Sequence, residues 1–440
     1  MATRNHKVIV GLGKTGYSCA MYLTRKGIPF SIVDQAEHPY LLAKLKEELP
    51  EVHFSKMDLE RLVKAEEIIL SPGVPLQSEA IQTAAKNGAR ITGDIAIFAD
   101  EVDKPFVAIT GSNGKSTVTK LVAEMTSAAG VDAGVGGNIG TPCLDMLNEG
   151  HDLYILEVSS YQLEVVEQLN AGVAVILNLT PDHLDRYRDV THYYETKARI
   201  YRGCKVAILN RDLDFDFNLS SEVQQLTFGL DEPSAEKEFG IRTVEGRTYL
   251  SHGHKLLLDT QSLRLRGRHN WLNALAALAI GHAVGLTTHD MICALEKYPG
   301  LPHRCEWLGA FSGADFYNDS KSTNPGSTRA AIEGLFEAGR QIVLILGGDC
   351  KGADLSDLAP LMSQVRRCFV FGKDRQVIAS MLHVDAVVCE TLEQVIAHLI
   401  DEVRDQDQVL LSPACASLDQ FDNYEHRGDE FGRLVMENFA

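Results

Sequence analysis

The stretch "AITGSNGKSTVTK", residues 108–120, sets Gly111, Gly114, Lys115, Ser116 and Thr117 between an apolar run and an amphipathic one. Those residue types in that order suit a phosphate. Backbone N–H groups of a glycine-bracketed turn converge on an anion, and a helix that follows adds the positive end of its dipole. Gly111 and Gly114 bracket Ser112 and Asn113, Lys115 can reach terminal phosphates, and Ser116 or Thr117 offers a hydroxyl to Mg²⁺. The common P-loop carries its first glycine five residues before the second; that position here is Ile109, so the loop is short. A strand-to-helix turn without a ligand is the alternative, and it leaves the Lys-Ser-Thr run unexplained.

A metal–nucleotide site needs oxygen ligands beyond a hydroxyl. "ILEVSSYQLE" supplies Glu157 at the end of an apolar run, and "NLTPDHLDRY" follows another such run with Asp182, His183 and Asp185. Each also has an ordinary reading, as a solvent-facing glutamate or a structural histidine, but loops after parallel strands are where ligands gather. In "HNWLNALAALA" (269–279), Asn270 and Asn273 suit contact with a base or a phosphate oxygen, and helix capping is the other reading of Asn270. A looser glycine turn, "GLGKTG" (11–16), follows the first apolar run, with Asp34 about twenty residues on. "SPGV" (71–74), a turn at a strand end, is expected to line the same crevice. Two such loops in separate domains point to two phosphate-bearing ligands, and the first need not be NAD.

Strands must lie beneath these loops. Short β-branched runs alternating with helical patterns recur along the chain, the mark of α/β units with parallel sheets. "KVIVGLG" (7–13), "FSIVD" (30–34) and "EIILSPG" (67–73) make a first block; "FVAITG" (106–111), "LYILEVSS" (153–160) and "VAVILNLT" (173–180) a second; "QIVLILGG" (341–348), "CFVFG" (368–372) and "QVLLSPA" (408–414) a third. Joins near Gly93 and Gly300 divide the chain into 1–93, 94–298 and 299–440. Between about 205 and 265 the pattern is mixed, with hairpin-like turns at "VEGR" and "SHGHK".

The 440 residues suit roughly two to four domains. With 42 basic against 60 acidic residues, a formal charge of −18 argues against a broad electrostatic grip on nucleic acid or on an anionic membrane. Nine cysteines without a C-x-x-C pair read as isolated thiols in a reducing compartment. There is no secretory apolar core at the N-terminus and no run of about eighteen uncharged apolar residues, so a soluble cytoplasmic protein is expected.

Taken in order, "GLGKTG", "SPGV", "TGSNGKST", "LEVSSYQLE", "DHLDRY", "HNWLNALAA", "PHRCE", "NDSKSTN", "GGDCKGAD" and "SPACASLDQFDNYEHRG" resemble the Mur ligases, nearest to the members that add D-glutamate. The resemblance runs end to end, and the short P-loop is the form that family uses. It implies a three-domain α/β enzyme, an ATP-dependent amide ligase. An N-terminal Rossmann-like domain would hold the UDP of UDP-N-acetylmuramoyl-L-alanine. A central P-loop ATPase-like domain with a mostly parallel sheet would hold ATP and two Mg²⁺ ions, and a C-terminal Rossmann-like domain would close and help bind D-glutamate. ATP would phosphorylate the terminal L-alanine carboxylate, the amine of D-glutamate would attack the acyl phosphate, and phosphate would leave. Nucleic acid and membrane are not expected partners.

The same resemblance assigns roles. Lys115, Glu157, His183 and Lys197 would be catalytic; Ser116 and Glu157 would hold one Mg²⁺ and His183 the other, with Lys197 as a carbamate supplying an anionic oxygen. Residues 111–117, Asn270, Asn273, Arg304, Asp319 and Lys321 would contact ATP. Lys14, Thr15, Asp34, Gly73, Asn138 and His183 would lie on the UDP-substrate side. Thr323, Lys351, Ser417, Leu418 and Tyr424 would form the D-glutamate pocket. Tyr424 stands where phenylalanine is frequent, and Cys350 where glycine is frequent, both near that pocket. A sister ligase for a diamino acid would carry a D-N-P-R run in its last domain, which this chain lacks. A silent nucleotide-binding module would have lost Glu157, His183 or Lys197, and an NAD-linked oxidoreductase would leave the P-loop unexplained.

Overall fold

A strand buried on both faces must be apolar throughout. In the computed structural model, which describes residues 6–182, 186–265, 267–336 and 340–440, the apolar runs become such strands. The chain folds into α/β domains with three sheets. Five strands build the first: β1 (Lys7–Val10), β2 (Phe30–Asp34), β3 (His53–Lys56), β4 (Glu67–Leu70) and β5 (Arg90–Thr92), in the order β3-β2-β1-β4-β5, all parallel. The winding direction reverses between β1 and β4, so a crevice opens past their carboxyl ends.

The middle block supplies β6 (Phe106–Thr110), β7 (Ala133–Gly137), β8 (Leu153–Glu157), β9 (Val173–Ile176), β10 (Val206–Asn210), β11 (Gln224–Phe228) and β12 (Glu238–Val244). They run β7-β8-β6-β9-β10-β11-β12, parallel at every pairing. All residues of β6, β8 and β9 are buried. β13 (Arg247–His252) and β14 (Lys255–Asp259) follow in the chain. At "VEGR", Glu245 and Gly246 take φ of 51° and 77°, the two positive values that a two-residue hairpin turn requires.

The third sheet contains β15 (Glu306–Phe311), β16 (Ala314–Asn318), β17 (Gln341–Gly347), β18 (Val365–Phe371), β19 (Ala386–Val388) and β20 (Asp407–Ala414), in the order β15-β16-β20-β17-β18-β19. Only the β15–β16 hairpin pair is antiparallel. Side chains alternate across it: Ile342, Leu344 and Leu346 pack with Ile332, Leu335 and Ile378, while Val343 and Ile345 pack with Leu392, Ile396 and Phe431.

The fold gathers into two compact units. One comprises the chain through Arg242 with Ser251–Leu257 and Leu275–Ala294; the other comprises Thr243–Leu250, Leu258–Ala274 and Leu295–Ala440. Within the first unit a single apolar cluster extends from Ile9 and Leu23 through Phe98 to Leu156 and Ile176. Phe98, on the helix Asp94–Glu101, meets Phe106 and Tyr154 edge-on at 5.6 and 5.3 Å. No helix among the described residues is long and apolar enough to cross a membrane.

One close approach fixes the first glycine turn. Gly16 lies in the first turn of the helix Lys14–Arg25, where an added Cβ would stand 1.9 Å from the Gly11 carbonyl oxygen. Gly16→Ala is therefore expected to destabilise the chain by about 2–3 kcal/mol, read as a lower denaturant midpoint at unchanged slope. An unchanged midpoint would show that the turn yields at no cost.

Candidate active site

The glycine loop joins β6 to the helix Lys115–Ala128. Gly114 turns the chain with φ of 80°, a conformation that disfavours a Cβ. No side chain caps this helix N-terminus. The loop is tied to the strand beside it: Asn178, just past β9, accepts from the Asn113 N–H (2.8 Å) and donates to the Asn113 carbonyl (3.0 Å). Ser112 Oγ donates to the Thr180 carbonyl (2.8 Å), accepts from the Thr180 N–H (3.0 Å) and lies 3.1 Å from the Tyr193 hydroxyl. Lys115 Nζ folds back to donate to the carbonyls of Gly111 (2.7 Å) and Ser112 (2.9 Å). Ser116 and Thr117, first in the helix after Lys115, are buried.

Glu157 closes β8 in register with Ile109 and is 1% exposed. Its Oε1 accepts from Asn138 Nδ2 at 2.7 Å, while Oε2 is buried with no hydrogen-bond partner among the described residues. A buried carboxylate oxygen left without a donor is costly unless a cation meets it. Ser116 lies in the first turn of the helix that follows β6, the strand beside β8, and a carboxylate with a hydroxyl is the kind of hard-oxygen set that Mg²⁺ takes. Among the described residues no group of three His, Cys, Asp or Glu side chains is placed to hold a metal ion, and His183 and Asp185 lie outside them.

Lys197, near the end of the helix Val190–Ala198, is 2% exposed and so is no surface lysine. Its Nζ donates to the Gly111 carbonyl at 3.0 Å and lies 4.9 Å from the Tyr193 ring centroid. Burial, and next the neighbouring Lys115 charge, hold its pKa well below the usual lysine range, with Asp182 and Glu157 opposing. The neutral amine is the form that can take up CO₂.

Asn138 connects Glu157 to a second crevice of the first unit. A cavity of about 600 Å³ is lined by Lys14, Thr15, Asp34, Gly73, Asn138 and Gln162, among others, so the structure does bring "GLGKTG" and "SPGV" to one crevice. Asp34 accepts from the Leu12 N–H at 2.6 Å, which shapes the turn. Asn138 thus faces this cavity on one side and Glu157 on the other.

In the second unit, three adjacent parallel strands end together. β16 leads into Asp319, Lys321 and Thr323, β17 into Lys351, and β20 into Ser417 and Leu418. Lys321 Nζ stands 4.0 Å over the Tyr424 ring. Ser417 is buried, Lys351 and Thr323 are exposed, and Leu418 is 66% exposed. Asp319 is buried and engaged from three segments: Oδ2 accepts from Ser322 in its own loop (2.5 Å) and from Ser412 on β20 (2.7 Å), and Oδ1 from the Cys305 N–H (3.0 Å). Arg304 lies within electrostatic reach of it. Asn270 and Asn273, on the helix Arg268–Ala283, are buried and joined by a 3.0 Å hydrogen bond.

Sequence reasoning missed Asn178, Tyr193, Arg186 and Arg427. Arg186, in the already suspect "DHLDRY", forks onto Glu164 (3.0 and 2.7 Å) and reaches the carbonyls of Pro72 (3.0 Å) and Val74 (3.1 Å), holding the "SPGV" turn. Arg427 is fully buried and donates to Ser320 Oγ and O and to the carbonyls of Gly347 and Cys415. The expectation of isolated thiols needs one correction: all nine cysteines are free, but Cys350 and Cys415 place their Sγ atoms 2.9 Å apart, because β17 and β20 are neighbours.

A phosphate loop, a buried strand-end carboxylate and a desolvated lysine, on an α/β scaffold of three sheets, define a nucleotide-dependent ligase class, and the chain belongs to the Mur ligase family. Family models match at residues 5–93 (Mur ligase MurD-like, N-terminal domain), 109–281 (Mur ligase middle domain) and 303–415 (Mur ligase, glutamate ligase domain). The chain is 44% identical to a UDP-N-acetylmuramoylalanine–D-glutamate ligase of Pseudomonas fluorescens, covering 99% of both chains. It is 45% identical to the enzyme of that name from Pseudomonas aeruginosa, again over 99% of both. Its fold is similar to that of the UDP-N-acetylmuramate–alanine ligase of Thermotoga maritima, with a TM-score of 0.58 and 18% identity over 98% of this chain and 99% of that one.

Two outcomes follow. Lys197→Met is expected to keep or raise the melting temperature, since it removes a buried ionisable group, while kcat falls at least ~100-fold; a variant that is active, or unfolded, would contradict this placement. Asp319 is pushed up to about 6, chiefly by burial. A carboxyl raised in the fold stabilises fully below its unfolded pKa of 3.8 and loses that contribution as pH rises through about 6. Urea melts should show Asp319→Asn losing this decline, worth ~3 kcal/mol at most; parallel pH profiles for the two proteins would refute it.

Proposed function

We propose that this chain is an ATP-dependent ligase that joins D-glutamate to UDP-N-acetylmuramoyl-L-alanine through an acyl phosphate, releasing ADP and phosphate. The observation that carries the reading is the row formed at the carboxyl ends of β7, β8, β6 and β9: Asn138, Glu157, the glycine loop and Asn178. That row sets a cavity-lining amide, a carboxylate with one unsatisfied buried oxygen and a phosphate loop side by side. The reaction, substrate and product are those in the names of relatives 44–45% identical over nearly the whole chain. The assignment of 1–93 to the UDP substrate, 94–298 to ATP and 299–440 to the amino acid belongs to the same proposal, as does action in the cytoplasm.

A carboxylate is a poor acyl donor because an oxide would have to leave; transferring the γ-phosphoryl group to it makes phosphate the leaving group. The transfer brings two anions together. Loop N–H groups from Gly111 to Lys115 and the positive helix end would bind the phosphates, and Lys115 would swing from the Gly111 and Ser112 carbonyls to the transferring group. Ser116 and Glu157 would hold one Mg²⁺, with His183 and Lys197 as its carbamate assigned to a second ion; bound Mg²⁺ supplies Lewis-acid charge for phosphoryl transfer. Asn138 would orient the substrate between its own cavity and Glu157. In the third domain, Lys351 would offer a cation to a carboxylate of D-glutamate, with Thr323, Ser417, Leu418 and Tyr424 around it, and Arg304, Asp319, Lys321, Asn270 and Asn273 would serve the nucleotide.

Phosphate release from ATP and Mg²⁺ with UDP-N-acetylmuramoyl-L-alanine tests the reading, adding D-glutamate, L-glutamate, L-alanine or diaminopimelate in turn. Release is expected only with D-glutamate, with one new amide product, and Lys115→Ala should lower kcat by about 10²–10³-fold with the fold retained. Release driven by another amino acid would reassign the substrate, and none with any of them would overturn ligase function.

A further inference from the structure

Cys350 and Cys415 are 65 residues apart in sequence and meet in the second unit. The reason is a single antiparallel bridge between loops that leave two parallel strands: the Asp349 N–H donates to the Ala416 carbonyl and the Ala416 N–H to the Asp349 carbonyl, both at 3.0 Å. Where one residue pair exchanges both hydrogen bonds, the next pair along is the non-hydrogen-bonded one, with Cα atoms about 4.5 Å apart and side chains close. Cys350 and Cys415 occupy that next position, where the typical Cα spacing falls inside the range a disulfide needs, and their Sγ atoms are 2.9 Å apart. The surrounding backbone is held already. Arg427 joins the Gly347 and Cys415 carbonyls at 3.3 and 3.1 Å, and Asp374 accepts from the Cys350 N–H at 2.8 Å.

We propose that Cys350 and Cys415 form a reversible disulfide under hydrogen peroxide, a modification site lying directly beneath the loops that carry Lys351 and Ser417. The Cys350 thiolate attacks one peroxide oxygen, forming an S–O bond as O–O breaks; with a proton taken up, the products are a sulfenic acid and water. The Cys415 thiol then attacks the Cys350 sulfur: S–S forms as S–O breaks, and the thiol proton joins the departing hydroxide, which leaves as water. Two thiols are oxidised and one peroxide is reduced. Cys350 is suited to the first role: the Cys415 S–H donating to it holds its pKa below the usual thiol range, and Cys415 is pushed up in return. The other cysteines, apart from the half-exposed Cys293, are buried and have no thiol partner at this distance among the described residues.

Closing the bond draws the loop after β17 against the loop after β20. Lys351, next to Cys350, already sits at φ of 49°, so the added constraint falls on a residue with little conformational latitude. Resting on the amino-acid pocket proposed above, oxidation is expected to raise the KM for D-glutamate severalfold with a smaller effect on the KM for ATP.

The full chain would be oxidised with hydrogen peroxide under native conditions, alkylated, digested and mapped by mass spectrometry, with turnover measured in parallel before and after dithiothreitol. The expected result is a Cys350–Cys415 linked peptide, loss of two thiols, reversal by dithiothreitol, and none of these in Cys350→Ser, which keeps its turnover. Alkylated Cys415 beside over-oxidised Cys350, or either thiol linked to a different cysteine, would overturn the site. The linked peptide with an unchanged KM would overturn its effect on the pocket. Mapping needs no turnover, so failure of the ligase reading would be seen separately.

Discussion

Two lysine side chains converge on one oxygen atom, the carbonyl of Gly111, with Lys115 at 2.7 Å and Lys197 at 3.0 Å. Both cannot carry a full charge there at low cost, since like charges this close in a poorly solvated pocket repel by several kcal/mol. Lys197 is the more buried of the two, and burial followed by the Lys115 charge holds its pKa well below the usual lysine range. The division of labour in the proposed site follows from that imbalance. Lys115 stays partly exposed on the loop, where an anionic ligand would bind in the proposed site, and the buried Lys197 is shifted toward the amine form. The second glycine position permits the geometry, because a left-handed turn at Gly114 is what lets the Lys115 side chain fold back over its own loop.

The architecture repeats one rule three times, once in each sheet. Adjacent parallel strands end together, and each contributes one short polar segment. In the first sheet these are the turns after β1 and β4. In the middle sheet they are Asn138, Glu157, the glycine loop and Asn178; in the third they are the segments after β16, β20 and β17. The strands are buried and apolar, so position comes from packing and chemistry from the first residues beyond it.

What was legible in the sequence follows from this separation. Parallel strands read as unbroken apolar runs, so β2 is found over Phe30–Asp34 as expected, β6, β8, β9 and β17 lie within their predicted runs, and β20 begins one residue before its run, at Asp407. The glycine loop was legible because its glycines, lysine and hydroxyls are local. Glu157 was only half legible: its place at a strand end shows in "LYILE", but its burial depends on neighbours that periodicity does not name. Lys197 was legible only through resemblance, since "YYETKARIY" has no pattern marking that lysine as inward. Asn178, Arg186 and Arg427 were missed because their partners are backbone groups tens of residues away, at Asn113, Pro72 and Val74, and Gly347 and Ser320. The Cys350–Cys415 encounter is of the same kind, created by strand order and invisible to spacing.

Arg186 has a mechanical side. Its guanidinium is shared between a carboxylate of the middle domain and two carbonyls of the first, over a stacked Tyr161 ring 4.3 Å away. Ser18 and Arg25 reach Asp145 and the Leu144 carbonyl from the opposite direction. Phe98 is seated in an apolar cluster that both domains share, so one face of the first sheet is packed into the middle domain, while the other keeps a cluster of its own around Val8, Val33 and Ile68. The substrate-side crevice and the phosphate loop therefore belong to one cooperative block of the chain. A proteolytic nick near Gly93 would leave the two fragments associated rather than release a free domain, and thermal unfolding of this block would proceed as a single event.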